Sequence, residues 1–180
     1  VTVNGGNPLA QQIFVNGIES PLLNVTIDGA AQGNLFHHAG SVRVEPELLK
    51  RVDVFAGAGS ALNGPGALGG AIQFETKNAF DFFTDADDQF GGLSKALYYN
   101  NGDGYKLSQT VASRLGSNWG ILFSGNYTDR EAYEDGDGNV EQLTDYRARN
   151  LFMKLSGQFE GGHSLDFSIE HQLSKATGYD

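Results

Sequence analysis

The sequence contains no cysteine and has few basic residues. Its 180 residues include 12 Lys and Arg against 22 Asp and Glu, which gives a formal net charge of −10. Without cysteine the chain cannot form a disulfide framework, a zinc ribbon or an iron–sulfur site. The acidic balance also argues against nucleic acid as a partner, because nucleic-acid-binding surfaces need clustered Lys and Arg.

Long apolar stretches are missing as well. No run of about 18 apolar residues exists, so the sequence predicts no transmembrane helix. The opening residues VTVNGGNPLA show neither the basic start nor the apolar core of a signal peptide. Glycine, in contrast, is abundant, and its 25 residues are about twice the usual share.

The net charge and the pattern of apolar residues change near residues 78–88. Residues 1–77 hold 4 basic and 6 acidic side chains (net −2), and residues 78–180 hold 8 and 16 (net −8). The acidic segment between the two parts, NAFDFFTDADD, has the composition of a linker. We therefore expect two domains, residues 1–77 and 89–180, joined by a linker over residues 78–88.

Residues 89–180 alternate apolar and polar side chains with the period of β-strands. The odd positions are mostly apolar in five segments, which lie at Leu93–Tyr99, Leu107–Leu115, Trp119–Tyr127, Leu151–Phe159 and Leu165–Leu173. The first segment is the poorest, because Lys95 interrupts it. The even positions are mostly polar and include Lys106, Arg114, Lys154, Asp166 and Glu170.

Turn signals connect these strands and predict how they pair. Tight turns are expected at Asn100–Gly104, Gly116–Asn118 and Glu160–His163, and a long acidic loop runs from Glu131 to Asp145. Folding there pairs apolar residues with each other: Val111 with Phe123, Trp119 with Phe159, Phe123 with Leu155, Tyr127 with Leu151, and Leu155 with Ile169. One register then gives all five strands a continuous apolar face.

Two architectures can use such a face. In a soluble antiparallel β-sandwich it covers a second sheet, and in an outer-membrane β-barrel it faces lipid. Strands of roughly 10–12 residues favour the barrel, because strands in soluble proteins average about 5–6 residues. Aromatic residues near both strand ends also fit the girdles of a membrane barrel. The soluble binding sandwich remains the alternative.

The first part of the chain predicts a small α+β unit. Strands are expected at Gln12–Gly17, Asn24–Gly29, Arg51–Phe55 and Ala71–Thr76, and a helix start at Glu45–Lys50 with Pro46 at its first position. The glycine-rich run before Ala71 contains the spacing G-x-G-x-x-G. It leads into a strand rather than a helix, so nucleotide binding is not indicated.

The segment RVDVFAGAGSALNGPGALGGAIQFETK, residues 51–77, resembles the end of the plug domain of TonB-dependent outer-membrane receptors. QIFVNGI and VTIDGAAQG resemble earlier plug strands, and the alternating strands that follow resemble the start of the family's barrel. The resemblance implies a mainly β protein: a small α+β plug domain followed by antiparallel transmembrane β-barrel strands. The chain departs from the usual family pattern at Asn16, Ala56, Ala58 and Asn63.

Function and location follow from the same resemblance. It implies a ligand-gated, TonB-energised uptake receptor for an iron chelate, either a ferric siderophore or haem, in the outer membrane of a Gram-negative bacterium. Such a receptor is not an enzyme and needs no cofactor, and the sequence shows no nucleophile–base constellation. The partners implied are TonB, through an N-terminal box absent here, the ligand and outer-membrane lipid. A ligand such as another metal, vitamin B12 or a glycan is the alternative within the family.

Five strands cannot close a barrel, and an open sheet edge in lipid leaves backbone groups unpaired. We therefore expect the chain to be a fragment that holds the later part of the plug, at residues 1–77, and about the first five barrel strands, at residues 89–180.

The resemblance also indicates the binding residues. Ligand contacts in the family come from apical plug loops, which correspond here to Asn16, Gln32, Gly33, Asn34 and Asn63. The adjacent His37 and His38 are candidate iron ligands, since imidazole suits iron; the alternative is that they are loop residues bonded to the barrel wall. Tyr133, in the acidic loop expected outside the cell, is a candidate contact for a cationic or metal-bearing ligand, although such loops are usually solvated.

Overall fold

The protein is described by a computed structural model that covers residues 2–4, 12–19, 23–32, 44–57 and 69–176. The chain divides into two compact units, Val1–Thr76 and Lys77–Asp180. Both consist mainly of β-strands. Within the described ranges, no helix is long and apolar enough to cross a membrane.

The first unit forms two small sheets in its described residues. Its strands are β1 (Thr2–Asn4), β2 (Gln12–Val15), β3 (Ile18–Glu19), β4 (Leu23–Ile27), β5 (Ala30–Ala31), β6 (Leu49–Ala56) and β7 (Gly70–Thr76). Strands β1, β2 and β3 make one antiparallel sheet, and the other sheet has the order β5–β4–β7–β6. Within the second sheet β4 and β7 run parallel, so the chain between them must cross over.

Alternating side chains of these strands build the core of the first unit. Val15, Leu23, Val25 and Ile72 are buried and pack together, as expected when every second residue of a strand faces inward. Strand β7 begins at Gly70, which has a φ of 130° and whose absent Cβ would collide with the carbonyl oxygen of Phe55. Only glycine fits that approach of two strands.

The helix start expected at Glu45–Lys50 was wrong. Residues 46–48 form a single turn, closed by a 2.9 Å hydrogen bond from the backbone N–H of Leu48 to the carbonyl of Glu45, and β6 begins at Leu49. The β-branched residues Val52 and Val54 favour the strand and leave no room for the further turns that a stable helix needs.

The second unit is one five-stranded antiparallel sheet in the order β12–β11–β10–β9–β8. Its strands are β8 (Phe90–Tyr99), β9 (Gly104–Leu115), β10 (Trp119–Arg130), β11 (Tyr146–Phe159) and β12 (His163–Ala176). They contain 10, 12, 12, 14 and 14 residues, which confirms the long strands that the sequence predicted.

Exposure of the two faces of this sheet is inverted relative to a soluble protein. On the odd-numbered face of β9–β12, Phe123, Leu151 and Ile169 are 48%, 62% and 63% exposed. On the even-numbered face, Lys154 and Ser156 are 3% and 1% exposed. A sandwich would need a second sheet over the apolar face, and within the described part of the chain none covers it.

The register of the long hairpin differs from the prediction by two residues. Val111 lies opposite Phe123, as expected. The predicted partners of Trp119, Phe123 and Tyr127 were wrong, and these residues face Gly157, Met153 and Arg149 instead. The loop between Arg130 and Tyr146 is therefore centred on residue 138, whereas the predicted pairs would centre it on residue 139. A shift of two keeps every side chain on its predicted face.

The β11–β12 hairpin shows the same error. Leu155 faces Phe167 and not Ile169, because Phe159 pairs with His163 and the turn is limited to the three residues Glu160–Gly162. Gly161 and Gly162 have φ values of 80° and 79°. Two successive left-handed glycines allow this tighter reversal, which a residue with a side chain would resist.

Strand β8 reverses the predicted faces. Tyr99 pairs with Gly104 across a turn of four residues, not five. Leu93, Leu97 and Tyr99 therefore lie on the polar face, and Tyr98 lies opposite Tyr105 on the apolar one. The predicted face of this strand was wrong, because a one-residue change in a hairpin turn moves every side chain to the other side.

A 3₁₀ helix at Ala79–Phe82 precedes β8 and is fixed to the polar face near the short turns. The guanidinium carbon of Arg114 lies 4.7 Å from the ring centre of Phe83 and 5.6 Å from that of Phe80. Its Nε donates a 3.0 Å hydrogen bond to the carbonyl of Asp88. At Gly120 a Cβ would approach that of Ala79 to 2.8 Å, so glycine there permits the close contact.

The remaining bonds of this linker are local. The Asn78 side chain accepts a 2.9 Å bond from the backbone N–H of Phe80, and the Asp81 carboxylate accepts a 2.8 Å bond from that of Asn78, which together form a capping box. The backbone N–H groups of Asp85 and Thr84 hold the pKa of the Asp88 carboxyl below its ordinary value. The linker is thus an ordered segment.

Replacing Arg114 should loosen the linker. We expect Arg114→Met, made in the full-length receptor, to raise amide hydrogen exchange over residues 79–88 by roughly 10-fold, since a partly buried cation–π stack contributes about 1–2 kcal/mol. Arg130→Met is the matched control, because Arg130 lies on the same face at the other end of the sheet. Equal linker exchange in both variants would contradict the anchoring role.

Candidate functional site

Asn16 has a structural reason for its identity. Its φ is 51° and that of the following Gly17 is 80°, which is the two-residue turn between β2 and β3. Asn followed by Gly is the pair that such hairpin turns prefer. Asn16 is exposed, so its side chain is accessible, but the turn alone explains the residue type.

Gln32 follows the β4–β5 hairpin and is half-buried. Its backbone N–H donates to the carbonyl of Val25 at 2.8 Å, and its Nε2 donates to the carbonyl of Ala30 at 3.1 Å. These bonds hold Gln32 against its own hairpin. The other plug residues predicted to bind ligand lie outside the described residues and stay predictions: Gly33, Asn34, His37, His38 and Asn63.

One contact of the plug segments was missed by sequence reasoning. The Asp28 carboxylate accepts hydrogen bonds from the backbone N–H of Thr76 at 2.8 Å and from its hydroxyl at 2.5 Å. The backbone N–H of Asp28 donates to the carbonyl of Phe74 at 2.9 Å. The D-G turn thus anchors the end of β7, which is 48 residues away and therefore invisible to a local pattern.

Tyr133 lies at the base of the long loop between β10 and β11. Its backbone N–H donates to the Thr144 hydroxyl at 3.2 Å, and its carbonyl accepts from the N–H of Glu141 at 2.9 Å. These bonds join the outgoing and returning halves of the loop. The side chain is half-buried, and nothing in the described residues tests its predicted contact with a ligand.

The tip of this loop is organised by Asp135. Its carboxylate accepts hydrogen bonds from the backbone N–H of Asn139 at 2.8 Å, from that of Asp137 at 2.9 Å, and from the Asn139 amide at 3.1 Å. The bonds from Asn139 are the main reason that the pKa of Asp135 lies below its ordinary value. The carboxylate therefore serves the loop's own backbone.

The side chain of Asn101, in the turn between β8 and β9, binds the backbone of the long loop. The Asn101 amide donates to the carbonyl of Glu134 at 2.9 Å and accepts from its N–H at 2.8 Å. The N–H of Glu131 also donates to the carbonyl of Gly102 at 2.8 Å. Sequence reasoning had placed Asn101 only in a turn and gave no sign of this contact.

A cleft of about 480 Å³ opens beside the base of the loop. It is lined by four acids and two arginines among other residues: Asp103, Tyr105, Asp129, Arg130, Glu131, Ala132, Asp145 and Arg147. The guanidinium of Arg147 approaches the carboxylate of Asp129 to 2.8 Å. The cleft can receive polar or cationic groups, but the described residues hold no cluster of three or more side chains that could bind a metal.

Removing the Asp135 carboxylate should disorder the loop tip. We expect Asp135→Ala in the full-length receptor to speed amide exchange several-fold over residues 137–141, whereas Asp137→Ala, which removes a carboxylate not used in the turn, should not. Because the pKa is lowered on folding, the stabilisation is present at neutral pH and is lost as pH falls below about 3.9. Equal exchange in the two variants would contradict the role of Asp135.

Comparison with known proteins agrees with this architecture. A family model for the TonB-dependent receptor plug domain matches residues 1–71. The haem transporter BhuA of Brucella ovis is 37% identical over 179 residues, which is 98% of this chain and 26% of BhuA. The TonB-dependent haem receptor A of Haemophilus influenzae is 29% identical, covering 97% of this chain and 24% of that receptor.

A solved structure shows the same fold. The FrpB iron transporter of Neisseria meningitidis superimposes with a TM-score of 0.76 and 26% identity, over 97% of this chain and 27% of FrpB. The chain thus spans about a quarter of the length of the relatives that it matches. The plug-domain match, the haem-receptor relatives and the shared fold lead to one conclusion: the chain belongs to the TonB-dependent receptors.

Proposed function

We propose that the receptor containing this chain takes up haem, or a closely similar iron chelate, across the outer membrane of a Gram-negative bacterium. Residues 1–77 supply the later part of the plug, residues 78–88 the linker, and residues 89–180 the first strands of the barrel. Transport needs energy from TonB and no covalent catalysis. A ferric siderophore is the second candidate ligand.

The similarity to haem transporters carries this proposal. The identity with BhuA runs through 98% of the chain and therefore includes both the plug and the barrel strands. The Haemophilus influenzae relative is also a haem receptor by name, and FrpB is an iron transporter. Iron, as such or within haem, is what these descriptions share.

The five-stranded sheet of the second unit supports a location in the membrane. Most of the large apolar side chains on its odd-numbered face are exposed, and most polar side chains on the even-numbered face of β9, β10 and β11 are buried, several of them bonded across strands. Thr110 and Ser124 share a hydrogen bond of 2.9 Å, and the Asn150 amide donates to Glu170 at 2.5 Å. Lipid on one side and a polar interior on the other are what this pattern requires.

Spin labels can test this orientation. In the full-length receptor, labels at Phe123→Cys and Ser124→Cys occupy neighbouring positions on opposite faces, and this chain has no cysteine of its own. We expect the label at 123 to be relaxed by lipid-soluble oxygen and the label at 124 to be shielded from it. The reverse result would show that the apolar face does not contact lipid.

The adjacent histidines provide the test of the ligand. We expect His37→Ala/His38→Ala to weaken haem binding by roughly 10-fold or more if an imidazole ligates the iron, taking the loss seen on disturbing metal-ligand partners as a floor. Wild-type affinity should also fall as pH drops below about 6.5, where a free imidazole becomes protonated. His163→Ala, which removes a histidine at the start of β12, outside the predicted ligand contacts, is the matched control.

The measurement is a haem titration of wild type and variants at pH 7.5 and 5.5, followed by the haem absorption spectrum. Unchanged affinity and spectrum in the double variant would remove the histidines from the site. No haem binding by wild type, with binding of a ferric siderophore, would replace haem with the second candidate.

A further inference from the structure

The β4–β5 hairpin lies at one edge of the second plug sheet and leads into the predicted ligand contacts. Strand β5 holds only Ala30 and Ala31, both exposed, and pairs with the end of β4. Gln32 follows directly and is held by its bonds to the carbonyls of Val25 and Ala30. We refer to residues 28–32 as the arm. Because so short a strand makes few ladder bonds, single side-chain hydrogen bonds matter for where the arm lies.

Asp28 begins the arm and fastens it to the end of β7. Its backbone N–H continues the parallel ladder of β4 and β7, donating to the carbonyl of Phe74 at 2.9 Å. The chain then turns away through Asp28 and Gly29, which have φ values of 48° and 80°. Beyond the turn the Asp28 carboxylate replaces the missing backbone partner, because it accepts from the Thr76 N–H at 2.8 Å and from the Thr76 hydroxyl at 2.5 Å.

Thr76 stands at the end of the first unit. It is 3% exposed and pairs with Leu49 of β6, so neighbours hold it on both sides. Lys77 alone separates it from Asn78, whose side chain caps the 3₁₀ helix of the linker. Since each residue adds at most about 3.6 Å of reach, little slack lies between Thr76 and that cap. A change in the position of Thr76 therefore reaches the linker directly.

We propose that Asp28 is a positioning residue that couples the arm to the linker. While Asp28 binds Thr76, the end of β7 is fixed and the cap at Asn78 forms. When these bonds break, the arm and the end of β7 move independently and the linker loosens. A ligand held by the arm favours the bonded state. This last step rests on the proposed function, because the arm's part in ligand binding is itself a prediction; the link from Asp28 to the linker does not.

The contact has the properties that such a coupling needs. It is a partly buried, charge-assisted pair of hydrogen bonds, which are stronger than bonds between neutral groups. It is also reciprocal, as every coupling between two sites must be: if ligand on the arm orders the linker, an ordered linker strengthens ligand binding by the same factor. Couplings of this kind change affinities by about 5–150-fold, and a single contact predicts the lower end.

The link from Asp28 to the linker is tested without ligand in the purified full-length receptor. We expect Asp28→Ala to raise amide hydrogen exchange over residues 78–83 by about 5-fold. Asp28→Asn should stay close to wild type, since its side chain can still accept from the Thr76 N–H and donate to the hydroxyl. Asp53→Ala is the matched control, because it removes a carboxylate from the same sheet that contacts Arg51 instead.

Two outcomes of this comparison would overturn the coupling. One is faster exchange confined to the arm and Thr76, with the linker as protected as in wild type. The other is the same linker exchange in Asp28→Ala and Asp53→Ala. Each variant must also show the electrophoretic shift on heating that marks a folded barrel, so that a loosened linker is not a misfolded receptor.

Substitutions at Thr76 keep the test decisive if Asp28→Ala does not fold. Thr76→Val removes the hydroxyl with little change in volume and keeps the N–H bond, whereas Thr76→Ser keeps both bonds. We expect faster linker exchange in the Val variant than in the Ser variant. Equal exchange in the two would contradict the role of the contact. Where all variants fold, Asp28→Ala/Thr76→Val should exchange no faster than Asp28→Ala, and full additivity would show that the two residues act separately.

Haem tests the step that involves ligand. At saturation it should slow exchange over residues 78–83 in wild type and in Asp28→Asn, but not in Asp28→Ala. Conversely, Arg114→Met, which loosens the linker, should weaken haem binding by about 5-fold in wild type and leave it unchanged in the Asp28→Ala background. Equal protection of the linker by haem in wild type and Asp28→Ala would refute the ligand step.

The two parts of the experiment separate this inference from the proposed cargo. If wild type binds no haem, the cargo is refuted, and the same exchange measurement is made with a ferric siderophore. The comparison without ligand decides the link from Asp28 to the linker in either case. Normal haem binding together with unchanged linker exchange in Asp28→Ala would refute the coupling alone.

Discussion

The two faces of the five-stranded sheet depend on one constraint: whether each hairpin connection holds an odd or an even number of residues, which we call its parity. The connections between β9 and β12 all hold odd numbers of residues, so odd-numbered side chains stay on one face through four strands. The turn before β9 holds four residues, so β8 contributes its even-numbered side chains to the face on which β9 to β12 place their odd-numbered ones. The apolar face therefore continues onto β8. Apolar residues share the exposed face, and polar residues the opposite face, only as long as this parity is kept.

Outside the strands, order comes from single polar side chains that bind backbone. Asn101 and Asp135 together close the long loop, and Asp28 ties a plug turn to the end of β7. Each is a short polar residue that uses its side chain in place of a missing strand ladder, which is the usual role of Asn and Asp in turns. The acidic composition of the long loop thus partly serves its own fold.

The sequence predicted the features that depend on the local alternation of apolar and polar residues. It missed the features that depend on the exact length of a turn or on contacts between segments far apart in the chain. Alternation sufficed to find the long strands and the exposed apolar face that carries Phe123. The partner of Leu155 and the face of Leu93 were wrong, because the ends of a turn are ambiguous by a residue or more where several Gly or polar residues adjoin. Contacts such as Asp28 with Thr76 join distant segments, and no local pattern reports them. Of the candidate site, the resemblance supplied the loops, while turn chemistry explains Asn16.

The stack of Arg114 on the linker has a mechanical consequence. A pull on the chain from its N-terminal side reaches the linker before it reaches β8, and there it meets a cation held by two rings and a carbonyl. The load is thereby carried across several contacts at once, so the hydrogen bonds between β8 and β9 are not unzipped one by one. Arg114 therefore shields the first barrel strand from a force that is applied through the linker.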